Sequence, residues 1–449
     1  MGKKLKLIFS ALILGICMCV LLCTLLLPAA PLRGNETAVP APRLMLGGKL
    51  NTDFLTELTD RYAQRFAFRS EAITLDALFQ GKLFGTSNTD EVILGRDGWL
   101  YYASTAGDYC NIRALSDREI GNIAVTLSLL DEAAEQAGMD FLFVPAPNKN
   151  SVYPEYMPEN YVVLQQDGDL EVLFDALRET GVPYADLLPV LTAGSETLYH
   201  RTDSHWNNLG AAAACEEILS LLGRDALSFD AQNFTLQNDF PGDLAAMLYP
   251  SLEVPETQQV FTLPPLTETG NSEDVLYETA CESGSGVLYC QRDSFGNALA
   301  PLLGVHFEEA VFSRSVPVNL ARAKELGADV LIWEIAERNI GTITQNAPVF
   351  LAPTRDMELP EENTQTTLTA SVAETDGLYR ITGQFDPAST DAASRIYALV
   401  DGTVYEATPA GGADGSFTLY LAAETAPESI ALILTENGAS VLTETAVLD

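Results

Sequence analysis

From Ser116 onward helix-like and strand-like segments alternate, and this order constrains the fold more than any other feature of the 449-residue chain. Consecutive β-α-β units set their strands in parallel and lay the intervening helices over the sheet. Ser116 and Glu119 form a capping-box pattern ahead of a long helix running to about Ala137. FLFVPAP (141–147) reads as the next strand, a helix from about Leu170 to Thr180 closes on Gly181, and VPYADLL (182–188) reads as another strand. A helix from about Leu209 to Leu222 follows, then a less regular segment to about residue 280. Strands GVLYC (286–290), EAVFS (309–313) and DVLIWEI (329–335), with a helix near 296–304, complete an α/β pattern: a parallel sheet flanked by helices.

Ahead of this body, a helical pattern covers about Asp53 to Phe79, and VILGRDGWLYY (92–102) reads as a hairpin turning at Asp97-Gly98, with Trp99 and Tyr101 as core residues. The first residues set the topology. Lys3, Lys4 and Lys6 precede an uncharged apolar run from Leu7 to Leu27. At about 1.5 Å per residue that run spans a hydrocarbon core of roughly 30 Å. Residues 1–6 then form a cytoplasmic tail, 7–27 a single-pass anchor, and the bulk of the chain lies outside the cytoplasm. A cleaved signal peptide is the alternative, and the length of the run favours the anchor. Residues 28–50, rich in Pro, Gly and Ala, read as a linker, and 51–356 as the α/β domain.

Beyond about Met357 the texture changes. No lysine follows Lys324, and short alternating runs such as GLYRITGQF, RIYALV and GSFTLYLAA are separated by Gly, Asp and Pro turns. They predict a small β-sandwich over 365–449. It contains no Trp, so a structural or spacer role is preferred to glycan stacking. With 62 acidic against 25 basic residues and a net charge of −37, the chain repels nucleic acid.

The chemistry concentrates in two places. TDSHW (202–206) sets Asp203 two residues before His205 in a chain with three histidines. Such a pair is structural, or ligates metal with His200, or forms the base of a nucleophilic site. His306 lies on a different element, and the cysteines lack zinc-like spacing, so no metal is expected. Cys281 and Cys290 sit close enough in sequence for a local bridge, although the cysteines outside the anchor read as packing residues. The second place is VLYCQRDSFGNALAPLL, where Ser294 follows a strand and opens a helix. That context exposes a nucleophile beside backbone N–H groups able to face an oxyanion; an ordinary helix N-cap is the alternative. Asn297 is a candidate oxyanion donor, Asn148 and Lys149 follow a strand end where α/β sites collect, and Trp206 is either a loop anchor or a sugar platform.

TDSHW and the later DSF (293–295), preceded by GRDGWLYY (95–102) and VPAPNKNSVYP (144–154), resemble the alginate O-acetyltransferase group, which includes the DHHW proteins. The resemblance covers about residues 50–345, including Glu337-Arg338. It implies an SGNH-hydrolase-like domain with circularly permuted order, in which Ser294 is the acyl nucleophile, His205 its general base and Asp203 the carboxylate that orients the imidazole. Where that family usually carries Gly before the Asp-Ser pair, this chain carries Arg292, which either alters the oxyanion geometry or pairs with an anionic group. The resemblance further implies O-acetylation of a secreted or cell-wall polysaccharide through an acetyl-serine intermediate, without a cofactor. A membrane-bound O-acyltransferase would be the acetyl-donating partner. An acetyl esterase with the same triad, or a non-catalytic glycan-binding scaffold, are the competing readings.

Overall fold

The structure, a computed structural model, describes residues 3–27, 37–112, 114–165, 167–227, 229, 234–361, 368–375, 377–390, 395–422, 424–436 and 439–448. Helix α1 (Lys3–Leu26) is long and apolar enough to cross a membrane, and its leucines, Leu7, Leu12 and Leu25 among them, are exposed. The helical pattern near residues 53–79 divides into α2 (Phe54–Arg65) and α3 (Arg69–Phe84). The break is backbone-driven: Phe68 adopts a left-handed φ of 65° that no α-helix accommodates. Strands β1 (Val92–Leu94) and β2 (Leu100–Tyr102) form the expected hairpin, with Asp97 and Gly98 both at positive φ.

The central sheet collects β3 (Asp140–Ala146), β4 (Thr267–Thr269), β5 (Leu276–Ala280), β6 (Val287–Gln291), β7 (Glu309–Ser313) and β8 (Val330–Ala336) in the order β3-β8-β6-β7-β5-β4. Its strands β3, β8, β6 and β7 are parallel, while β5 and β4 add an antiparallel edge, so the sheet is mixed and not all-parallel. A second departure concerns VPYADLL, which contributes only one parallel bridge, Tyr184 to Phe143. The irregular stretch before residue 280 also holds a hairpin, Phe234–Pro241 with Pro255–Phe261, around a short helix at Asp243–Leu248.

Alternation places successive side chains of each strand in two cores. Leu142, Val144, Leu288, Cys290 and Ile332 face one, with α6 (Asn208–Leu221) and α7 (Gly296–Gly304); Phe141, Phe143, Tyr289, Leu331 and Trp333 face the other, with α4 (Asp117–Gln136) and α5 (Asp169–Thr180). Burial on both faces explains why these strands read as continuous apolar runs. Ser116 caps α4 with the reciprocal Glu119 box. Because β3, β6 and β8 are parallel, their carboxyl ends lie on one edge, which gathers Asn148-Lys149, Arg292-Ser294 and Glu337-Arg338.

C-terminal strands from Leu368 to Val447 form an eight-stranded antiparallel sheet, whose strand Thr403–Ala410 pairs on one side with Ile396–Val400 and, through Thr408–Ala410, with Ser416–Leu421. Ile381, Phe417, Leu419, Ile430 and Leu432 share its core. It is joined to α4: Asn122 donates to Gly412 O at 2.6 Å, and Arg355 bridges Glu132 and the buried Glu406. All seven cysteines are free thiols, so Cys281 and Cys290 are unbridged packing residues.

Candidate active site

The loop 198–207 is pinched at its base, where Tyr199 bridges Trp206 and Asn207 N–H donates to Leu198 O at 2.9 Å. Asn207 then caps α6 through Gly210 N–H at 3.0 Å. At the centre of the loop sits the ammonium of Lys149, fully enclosed and not solvated as a turn lysine ordinarily is. It donates to the carbonyls of His200 and Arg201, both at 3.1 Å, and of Asp203 at 2.5 Å, and lies over the rings of Trp99 and Tyr101. Burial pulls its pKa down to about 7 against the opposing pull of Asp203, Asp243 and Glu256. Lys149 therefore holds the loop through its carbonyls. Gly242 allows the helix at Asp243 to approach the same loop: a Cβ there would meet Thr202 O at 2.3 Å.

These supports aim one imidazole. Asp203 Oδ1 accepts from His205 Nδ1 at 2.7 Å and from His205 N–H at 2.9 Å, while its Oδ2 accepts from Asp243 N–H at 2.8 Å. With Nδ1 as donor, Nε2 is left as acceptor and lies 2.8 Å from Ser294 Oγ. Burial alone would raise Asp203, yet the His205 bond and the N–H donors outweigh it and hold the carboxyl well below its usual range. For His205 burial opposes the charged form, but Asp203 and then Asp243 outweigh it and raise the pKa above 6.5.

Asp243 is the residue that motif reading missed. Its carboxylate accepts from Ser204 N–H at 2.7 Å and Ser204 Oγ at 2.6 Å, and its Oδ2 lies 3.7 Å from His205 Nδ1. Asp203, His205 and Asp243 converge within 4.8 Å, a grouping a cation could also enter, although His205 Nδ1 is already committed to Asp203. The set with His200 does not assemble: the His200 ring stacks on Phe240 at 3.8 Å, and its Nδ1 faces Glu256 at 3.9 Å.

Ser294 follows β6 on a braced turn. Asp293 Oδ1 accepts from Phe295 N–H at 2.9 Å and its Oδ2 from Ala336 N–H at 2.9 Å and Asn339 Nδ2 at 3.0 Å, which ties the turn to the end of β8. Since Phe295 N–H is spent on Asp293, it is not an oxyanion donor. Arg292 is 3% exposed and turned inward, donating to Asn297 Oδ1 at 2.7 Å, Asp293 O at 3.1 Å and Asp274 O at 2.9 Å. It braces the turn through these bonds. A guanidinium only donates, so Asn297 accepts through oxygen and keeps its Nδ2 as a donor, while its N–H donates to Ser294 O at 3.2 Å. Trp206, buried, donates to Phe295 O at 3.0 Å, which joins the histidine loop to the serine turn and fits the loop-anchor reading. Asn148 is enclosed: its N–H meets Glu337 at 2.7 Å and its Nδ2 meets Asp108 at 2.7 Å.

Residues 92–281 match the family model of the SGNH hydrolase-like domain of acetyltransferase AlgX; the match contains Asp203 and His205 and stops short of Ser294. The chain is 27% identical over 257 residues to the probable alginate O-acetylase AlgJ of Pseudomonas syringae pv. tomato, covering 55% of this chain and 61% of that curated relative. Among solved structures it is similar to the O-acetyltransferase domain of Pseudomonas putida AlgJ (21% identity, TM-score 0.36, 56% of this chain and 92% of that one). A DHHW family protein from Eubacterium siraeum is another (16% identity, TM-score 0.40, 49% and 85%). The chain thus resembles the alginate O-acetyltransferase group, and residues 92–281 are similar to the SGNH hydrolase-like domain of AlgX.

Proposed function

We propose that the chain is an extracytoplasmic, single-pass serine O-acetyltransferase acting on a secreted or cell-wall polysaccharide. The observation that carries this reading is the continuous run from Ser294 Oγ to His205 Nε2 at 2.8 Å and from His205 Nδ1 to Asp203 at 2.7 Å. His205 takes the Ser294 proton as Oγ attacks the acetyl carbonyl, then returns it to the departing donor group, leaving acetyl-Ser294. An acceptor hydroxyl repeats the sequence: it loses its proton to His205, its oxygen takes the acetyl group, and Ser294 leaves with the proton. Asp203 holds the tautomer and stabilises the imidazolium in both halves. Asn297 Nδ2 and the Ser294 N–H are the donors assigned to the oxyanion. Acetyl-CoA belongs to the cytoplasm, so a membrane-bound O-acyltransferase is assigned as the donor partner. Residues 7–27 serve as the anchor, 28–50 as the linker, 51–356 as the acyltransferase domain and 365–449 as an appended β-module.

The test follows acetate and acetyl-oligosaccharide produced by the full-length protein in detergent from an activated acetyl ester. Serine-dependent transfer to sugar supports the reading; serine-dependent acetate release that sugars leave unchanged makes the protein an esterase.

A further inference from the structure

Helices α2 and α3 leave apolar faces uncovered. On α3, Ala72, Leu75, Phe79 and Leu83 recur every three or four positions, so they share one face of the helix, and all four are exposed. Phe68, in the turn before α3, is 52% exposed, and the three large side chains of the face are 59–68% exposed. Leu55, Leu58 and Tyr62 repeat the pattern on α2. A continuous apolar run of this kind marks a contact surface. The opposite face of α3 is docked: Ala77 packs with Leu244, Ala245 and Leu248, and Thr74 Oγ1 accepts from Ser251 N–H at 3.0 Å.

The end of α1 indicates what covers the exposed face. Thr24 Oγ1 accepts from Ala67 N–H at 2.9 Å and donates to Val20 O at 2.8 Å. Thr24 stands two residues before the end of the apolar span at Leu26, a rise of about 3 Å. Ala67 and the exposed Phe68 therefore lie at the level where α1 would leave the hydrocarbon, and the α3 stripe starts from there. Charge agrees with a lipid occupant. From Phe54 to Phe84 four basic residues, Arg61, Arg65, Arg69 and Lys82, balance four acidic ones, Glu57, Asp60, Glu71 and Asp76, in a chain of net charge −37. A segment of zero net charge meets a headgroup layer without the repulsion that the rest of the chain carries.

We propose that α2 and α3 form a platform lying in the outer headgroup layer of the bilayer, with the Leu75 and Phe79 face of α3 in lipid and the Thr74 and Ala77 face against the Asp243–Leu248 helix. Packed helices lie about 8–10 Å apart, so the platform holds that helix close over the membrane. Asp243 N–H in turn holds Asp203, which sets the height of the candidate active site. The inference rests on the single-pass reading of residues 7–27 and goes beyond it.

The test places the full-length protein in phosphatidylcholine vesicles, with or without bromine on the acyl chains, and reads tryptophan fluorescence. Trp99, Trp206 and Trp333 are only 2–5% exposed, so they form a constant background for a tryptophan introduced at the surface. The emission added by Phe79→Trp and by Leu83→Trp is expected to fall about twofold in brominated vesicles, because an interfacial helix seats its apolar face at the acyl boundary. Leu14→Trp, inside the span, reports the anchor separately, and Val447→Trp, on the C-terminal sheet, is expected to show no loss. If one α3 variant fails to fold, the other decides. Absence of loss in a folded α3 variant while Leu14→Trp is quenched overturns the platform and leaves the anchor standing. A second copy, seen as a doubled mass by sedimentation, or a protein partner would then cover the face. Loss at the α3 positions without loss at Leu14→Trp keeps the platform and overturns the single-pass reading. Equal loss at Val447→Trp shows general adsorption and also overturns the platform.

Discussion

His205 works within a field set by two carboxylates, and their roles separate on substitution. The imidazole must be neutral to accept the Ser294 proton, so activity falls on the acid side as it protonates, and the raised pKa places that limb above 6.5. Asp243→Asn removes a negative charge, favours neutral His205 and moves the limb of the kcat/KM profile to lower pH. Its plateau should fall by no more than about tenfold, since the backbone N–H of residue 243 still holds Asp203. Asp203→Asn should cost on the order of 10³–10⁴-fold, because the tautomer itself is lost. A limb that stays in place in Asp243→Asn would show that Asp243 is only a loop brace. At this scale the sequence discloses residue types and adjacency, hence Asp203, His205 and Ser294. It does not disclose partners from distant elements: Lys149 gains its role from carbonyls some fifty positions on, Asp243 from a loop forty positions back, and Arg292 is turned inward by contacts with Asn297 and Asp274.

Among elements, the loop before α6 depends on close backbone approaches as much as on hydrogen bonds. Gly242→Ala sets a Cβ 2.3 Å from the Thr202 carbonyl, which must push the 202–205 loop away from the Asp243 helix. We expect a loss of about 2–3 kcal/mol in urea unfolding and a fall in kcat. Gly107→Ala, where nothing lies within 4 Å, should change stability by less than about 1 kcal/mol. Equal effects at the two sites would contradict the packing argument. Element types were legible wherever local signals were strong: the Ser116–Glu119 box, the Asp97-Gly98 turn, and the apolar strands buried on both faces. The antiparallel edge at Thr267–Ala280 was not, because TET and LYETA are short and polar and pair only as additions to an existing sheet. VPYADLL has the apolar content of a strand yet makes one bridge, since its residues are drawn into the core by Ala185 and Leu187 beside α6.

For the whole molecule, the C-terminal strands and the α/β body are held through Arg355, which joins Glu132 of α4 to Glu406 inside the sheet. Arg355→Ala leaves Glu406, 1% exposed, with Arg395 alone, and should cost about 3 kcal/mol in denaturant unfolding. An unchanged midpoint would mean that the two parts are energetically independent. The order of functional segments along the chain, histidine loop before serine turn, acquires meaning only when the parallel strands bring residues 205 and 294 to one sheet edge. The most direct test of that convergence is the intact mass of the full-length protein after brief exposure to an activated acetyl ester, alongside Ser294→Ala. The account predicts a single acetyl adduct in the native protein and none in the variant. An equal adduct in both, or in neither, would contradict Ser294 as the acyl carrier.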